Sequence, residues 1–184
     1  MRTLIAAACV FATSATAECP DAPDISDEMD VLVSEIRAAP NDVAAREISN
    51  QMWELWLQAP DVPAQTVLDD GMRARANYDF VGAIEKYDRL VAYCPNYAEG
   101  YNQRAFVYFL TQDYASALVD LDKALALSPR HVGAQSGRAL TLMNMGRLAE
   151  ARRQLLEALD NNPWLSERFL LAEGGPLAEQ GEDI

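Results

Sequence analysis

Three prolines, Pro95, Pro129 and Pro163, stand 34 residues apart, and the positions before each of them recur in step. Twelve residues earlier comes Ala83, Ala117 or Ala151, and eight earlier Tyr87, Leu121 or Leu155. Five residues earlier comes Leu90, Ala124 or Ala158, and fifteen earlier Phe80, Tyr114 or Leu148. A period of this length, held in phase over three copies, marks a repeat array in which each unit is one supersecondary motif.

Inside a unit the apolar residues return every three or four positions, which gathers them on one helical face. Tyr101, Ala105 and Tyr108 define one helix; Tyr114, Ala117, Leu118, Leu121, Ala124 and Leu125 define the next. Alanine at 117 and 124 allows two helices to approach closely. Pro129 cannot continue the helix before it and so sets the turn into the following unit. Gly146 before Arg147 supplies a hairpin turn, the place taken by Gln112-Asp113 one unit earlier. One such pair cannot bury its apolar face alone, so neighbouring pairs must stack.

The stretch Ala98 to His131, AEGYNQRAFVYFLTQDYASALVDLDKALALSPRH, resembles a tetratricopeptide repeat through Tyr101, Ala105, Tyr108, Tyr114, Ala117, Leu121, Ala124 and Pro129. Residues 64–97 form another copy through Val67, Gly71, Ala74, Phe80, Ala83, Tyr87, Leu90 and Pro95. Residues 132–165 form a third through Ala139, Leu142, Gly146, Leu148, Ala151, Leu155, Ala158 and Pro163. The usual leucine before the small residue is replaced by Asp70, Arg104 and Arg138, and Gln135 replaces an early aromatic. The resemblance implies an all-α, right-handed α-solenoid of three helix pairs.

The flanks are read as caps. Residues 1–17 combine a short positive start, an apolar run from Leu4 to Phe11 and the small-x-small site Ala15-Thr16-Ala17, the pattern of a cleavable signal peptide. That places the protein in the periplasm or outside the cell. Residues 18–25 read as a linker, and 26–59 as a helical pair capped at Ser26 or Asp27 and broken at Pro40. Its Trp53 and Trp56 are expected against the first repeat, covering the open end of the array. Residues 166–173 read as a closing helix, with Trp164, Leu165, Phe169 and Leu170 over the last repeat, and 174–184 as a disordered tail.

The formal net charge is −13, with no basic stripe, which argues against nucleic acid and anionic lipid as partners. No later segment is apolar enough to span a bilayer, so no integral membrane segment is expected. With the signal removed two cysteines are left, Cys19 and Cys94, and an oxidising compartment allows them one bond. Two thiols that never meet are the alternative.

No catalytic, cofactor or metal motif stands out. The single histidine, His131, falls in a turn and is expected on the surface. Asp69-Asp70 and Asp120-x-Asp122 sit on diverging helical faces and are expected to be solvated. By position, the resemblance implies a groove lined by the first helix of each pair. Leu68, Met72 and Arg75 come from one repeat, Asn102, Gln103, Phe106 and Phe109 from the next. Ser136, Leu140, Met143 and Asn144 come from the last. The carboxylate clamp of one subset of the family is absent, because Leu68, Met72, Gly133 and Gly137 occupy corresponding positions. The expected function is therefore a non-enzymatic protein-interaction module binding a peptide or helix of another protein. The alternatives are an accessory subunit of an envelope enzyme or assembly complex, and a self-associating structural protein forming a homo-oligomer.

Overall fold

Each repeat turns at the same backbone conformation, and that turn sets the helix ends. Tyr78 (φ 61°), Gln112 (φ 63°) and Gly146 (φ 75°) occupy one repeat position, and all three adopt the left-handed region. Asp79 and Asp113 follow two of them and cap the next helix, accepting from Gly82 N–H at 2.9 Å and Ser116 N–H at 3.1 Å. In the last repeat Arg147 takes this place and instead pairs with Glu150 at 2.7 Å.

The computed structural model describes residues 18–179, so the residues read as a signal peptide, and positions 180–184, lie outside the described part. The helices are α1 (Ser26–Arg37), α2 (Asp42–Trp56), α3 (Val62–Ala76), α4 (Phe80–Tyr93), α5 (Ala98–Leu110), α6 (Tyr114–Leu127), α7 (Val132–Asn144) and α8 (Leu148–Asn161). A 3-10 helix, Ser166–Leu171, follows. From α3 to α8 each helix packs antiparallel on the next, giving three stacked hairpins of an α-solenoid. Ala83, Ala105, Ala117, Ala124, Ala139, Ala151 and Ala158 lie fully buried at the crossings, where a longer side chain would separate the helices. Gly71 is required for another close approach: a Cβ there would meet the Tyr87 ring at 2.5 Å.

The residues that replace the family's leucine form a polar ladder between hairpins. Arg104 reaches back to Asp88 and forward to both oxygens of Asp120, each contact 2.7 Å. One repeat later Arg138 reaches back to Asp122 at 2.6 Å and forward to Gln154 at 2.9 Å. Asp70 faces Lys86 at 4.0 Å in the first repeat. Asp120 is thus buried in an ion pair, whereas the sequence suggested a solvated carboxylate.

The N-terminal pair departs furthest from expectation. Asn41 caps α2, accepting from Val43 and Ala44 N–H, but α1 starts at Ser26 without a side-chain cap of its own. There Asp24 accepts from Ser26 N–H at 3.1 Å. The pair does not extend the stack ahead of the first repeat. It lies across the array and contacts the third repeat and the C-terminal segment. Met29, Leu32, Val33, Ile36, Ala45, Met52 and Trp56 form one core with Val132, against which Trp164 and Leu165 pack. Arg37 bonds Asp160 at 2.9 Å, Trp164 Nε1–H donates to Ile36 O at 3.1 Å, and Arg130 pairs with Asp30. Cys19 and Cys94 form a disulfide with Cα atoms 5.2 Å apart, fastening the leading segment to the end of α4.

At the other end, the closing element is 3-10 rather than α-helical. The described residues beyond it are ordered: Leu177, 1% exposed, fills the core of the third repeat, and its N–H donates to Leu170 O at 2.9 Å. Burial of one leucine, with its backbone bond, holds residues 174–179 where the sequence suggested a disordered tail.

Candidate functional site

The first helices of the three repeats turn one face toward α2. Between that face, α2 and the 3-10 helix runs a groove with a cavity volume of about 830 Å³.

Behind two of its lining residues, Asn102 and Gln103, lies a buried polar chain centred on Glu99, in the first turn of α5. A carboxylate there is favoured by the free N–H groups and dipole of the helix start. Glu99 accepts from Asn102 at 2.9 Å and Gln103 at 2.5 Å, and its other contact is His131 Nε2 at 2.7 Å. His131 Nδ1 accepts from Ala134 N–H at 3.2 Å, capping α7, which leaves the ring proton on Nε2 to donate to Glu99. His131 is fully buried, contrary to the surface turn residue suggested by sequence. Two aromatic rings cover it: Trp56 stacks at 4.2 Å between centroids and Trp53 meets it edge-on at 5.8 Å. Trp53 also lies over Gly133, where a Cβ would come within 2.5 Å of the indole. The indole rings therefore pack on the turn and first helix that open the third repeat, rather than covering the open end of the array before the first. Tyr97 O–H donates to Trp56 O at 2.8 Å, locking the end of α2 in place.

Tyr87 approaches the same chain through Gln103 at 3.5 Å. Burial pushes its hydroxyl up to about 12, with the positive charge of Arg75 opposing part of the shift. Burial pushes the Tyr97 hydroxyl well above its ordinary range as well, and the Glu99 charge adds to it.

Of the residues placed in the groove by sequence, Met72, Arg75, Asn102, Gln103, Phe106, Phe109, Ser136 and Leu140 line it. Leu68 is buried beneath, in the core of the first repeat. Met143 packs with the third repeat core, and Asn144 faces Tyr114 at 3.4 Å. Asn102 and Gln103 line it but spend their amide N–H groups on Glu99. Phe106 stays 42% exposed, with the Arg75 guanidinium 4.7 Å above its ring. Sequence reasoning missed the far wall: Arg46, Trp53, Trp164, Arg168 and Phe169. None carries the 34-residue period that identified the near wall. Among the described residues no group of three or more His, Cys, Asp and Glu could hold a metal ion.

Stacked helical hairpins around such a groove define an α-solenoid. A tetratricopeptide repeat family model matches residues 108–164. A TPR repeat-containing protein of Rhizobium etli is 28% identical over 118 residues, covering 64% of this chain and 58% of that one. A tetratricopeptide repeat protein 36 homolog of Nematostella vectensis is 43% identical over 61 residues, a third (33%) of each chain. The chain thus spans between a third and three-fifths of the length of these curated relatives. The first TPR of Spaghetti (RPAP3), bound to the HSP90 peptide SRMEEVD, superposes with a TM-score of 0.56 at 24% identity. That match covers 56% of this chain and 82% of the other. The TPR2B domain of yeast Sti1, in complex with an Hsp70 peptide, gives 0.55 at 21% identity, covering 62% and 90%. The stacked hairpins of this chain share the fold of these solved domains.

Proposed function

We propose that the protein is a non-enzymatic adaptor that holds a linear segment of a partner protein in the open part of its groove. The observation carrying this reading is Phe106. It is a large aromatic left 42% exposed at the centre of an apolar concavity with Met72, Phe109 and Leu140. Exposed apolar area in a concave site is what a peptide anchor side chain needs. The solved neighbours in complex with HSP90 and Hsp70 peptides support the same reading. Glu99, the buried carboxylate behind Asn102 and Gln103, is already satisfied by those two amides and His131.

The working compartment is an oxidising one outside the cytoplasm. The signal-like pattern of residues 1–17 supports this, as does the Cys19–Cys94 disulfide, a bond that persists chiefly where thiols are not kept reduced.

Photo-crosslinking from a probe at position 106, in cells expressing the whole chain, tests both halves. A specific adduct in the extracytoplasmic fraction, lost with Leu140→Asp, is the expected result. Adducts that survive Leu140→Asp would place binding elsewhere, and a chain confined to the cytoplasm would remove the compartment.

A further inference from the structure

The exterior of this chain is strongly acidic, at a formal net charge of −13, but the groove is not. Its charged lining is Arg46, Arg75 and Arg168 against Asp42 and Glu167. Arg168 is already engaged, with Asp42 at 3.3 Å and the Phe169 ring at 4.5 Å. Arg75 is engaged less fully: it faces the Tyr87 hydroxyl, but its Nε is buried without a hydrogen-bond partner among the described residues. A buried guanidinium N–H lacking an acceptor is costly to maintain. Its guanidinium lies over the Phe106 ring, so a carboxylate entering the groove would meet its terminal N–H groups.

Resting on the groove reading above, we propose that the partner segment is acidic. One Asp or Glu side chain would meet Arg75, with the exposed Arg46 as a further positive contact. A neighbouring apolar or aromatic side chain would lie on Phe106 and Leu140. The recognition is of an internal side-chain carboxylate. The positions where related domains grip a chain terminus hold Leu68, Met72, Gly133 and Gly137, and Trp53 covers Gly133.

The test is selection of a random dodecamer library displayed on phage, with no free peptide C-terminus, against the purified oxidised chain. Wild type should enrich sequences placing Asp or Glu near an aromatic or aliphatic residue. The best synthetic peptide should bind Arg75→Gln about tenfold or more weakly, as expected for loss of a charge-paired contact. Arg75→Lys should recover part of that loss. Circular dichroism and thermal midpoint, unchanged in Arg75→Gln, would exclude a folding effect. Enrichment of apolar sequences without acids, still lost in Phe106→Ala, would overturn the acidic preference and keep the groove. Binding indifferent to both Arg75→Gln and Phe106→Ala would overturn both readings. So would the absence of any enrichment.

Discussion

The Trp56 indole lies nearly flat on the His131 imidazole, 4.2 Å between ring centroids and 12° between planes. The contact joins the second helix of the chain to the turn that opens the third repeat. Trp56→Ala should remove it, open a void beside the Glu99–His131 bond and lower unfolding free energy by about 3–5 kcal/mol. Urea denaturation followed by circular dichroism measures this. A loss under about 1 kcal/mol would mean that α2 is only loosely docked.

Arg104 should prove indispensable only while Asp120 is there. Arg104→Leu restores the family's commoner residue yet strands a buried carboxylate, and should destabilise by about 3 kcal/mol. Adding Asp120→Leu should return most of the loss, because the remaining pair is apolar and of suitable size. Chemical denaturation of the two single variants and the double variant gives the coupling energy. Additive losses would show that the two groups act separately.

At the hairpin turns the three residues differ, but the conformation does not. Tyr78 carries a side chain at φ 61°, so Tyr78→Gly should stabilise by about 1 kcal/mol. Gly146→Ala, at φ 75° with open space around it, should destabilise by a similar amount through backbone strain alone. Thermal midpoints moving in opposite directions would confirm the shared turn.

Alkali should unfold the protein earlier than most helical arrays. Tyr87 ionises near 10 when exposed and is pushed up to about 12 when buried, so folding favours its neutral form. Its contribution is whole below pH 10, falls as the pH rises from 10 to 12, and is gone above. The difference is worth about 3 kcal/mol for this group, and Tyr97 acts in the same direction. Tyr87→Phe should flatten the loss of stability between pH 10 and 12 in rapid equilibrium unfolding. An unchanged slope would assign the effect to other groups.

The Cys19–Cys94 disulfide closes a loop of sequence separation 75. On the chain-entropy account its removal in Cys19→Ser should cost about 4 kcal/mol. The variant and the dithiothreitol-treated wild type should then unfold at the same urea concentration. Divergence between them would point to strain or a local role for the thiol.

The array was legible because Pro95, Pro129, Pro163 and the alanines before them repeat, and repetition reports local packing directly. The placement of α2 was not, since a contact between Trp53 and Gly133 joins residues far apart in the sequence and leaves no periodic trace. His131 shows the same limit: a turn residue reads as exposed until a distant indole covers it. The Arg104 and Arg138 ladder could have been read. Both arginines have an acidic residue sixteen positions before them, and a carboxylate or amide sixteen positions after, the spacing that faces one helix of a hairpin on the next. In the groove, the period identified the near wall, from Met72 to Leu140. The far wall comes from segments outside the repeats, where the sequence carries no register to extrapolate.

Arrays of stacked hairpins ordinarily melt from their ends, because a terminal unit has a neighbour on one side only. Here the first two helices rest on the third repeat, and Cys19 is fastened to the first. Neither end can fray by itself: peeling the third repeat away breaks the seat of Trp56, and loosening α2 uncovers His131. These contacts close the stack on itself, so it should melt in one cooperative transition and offer few partly opened states to a protease.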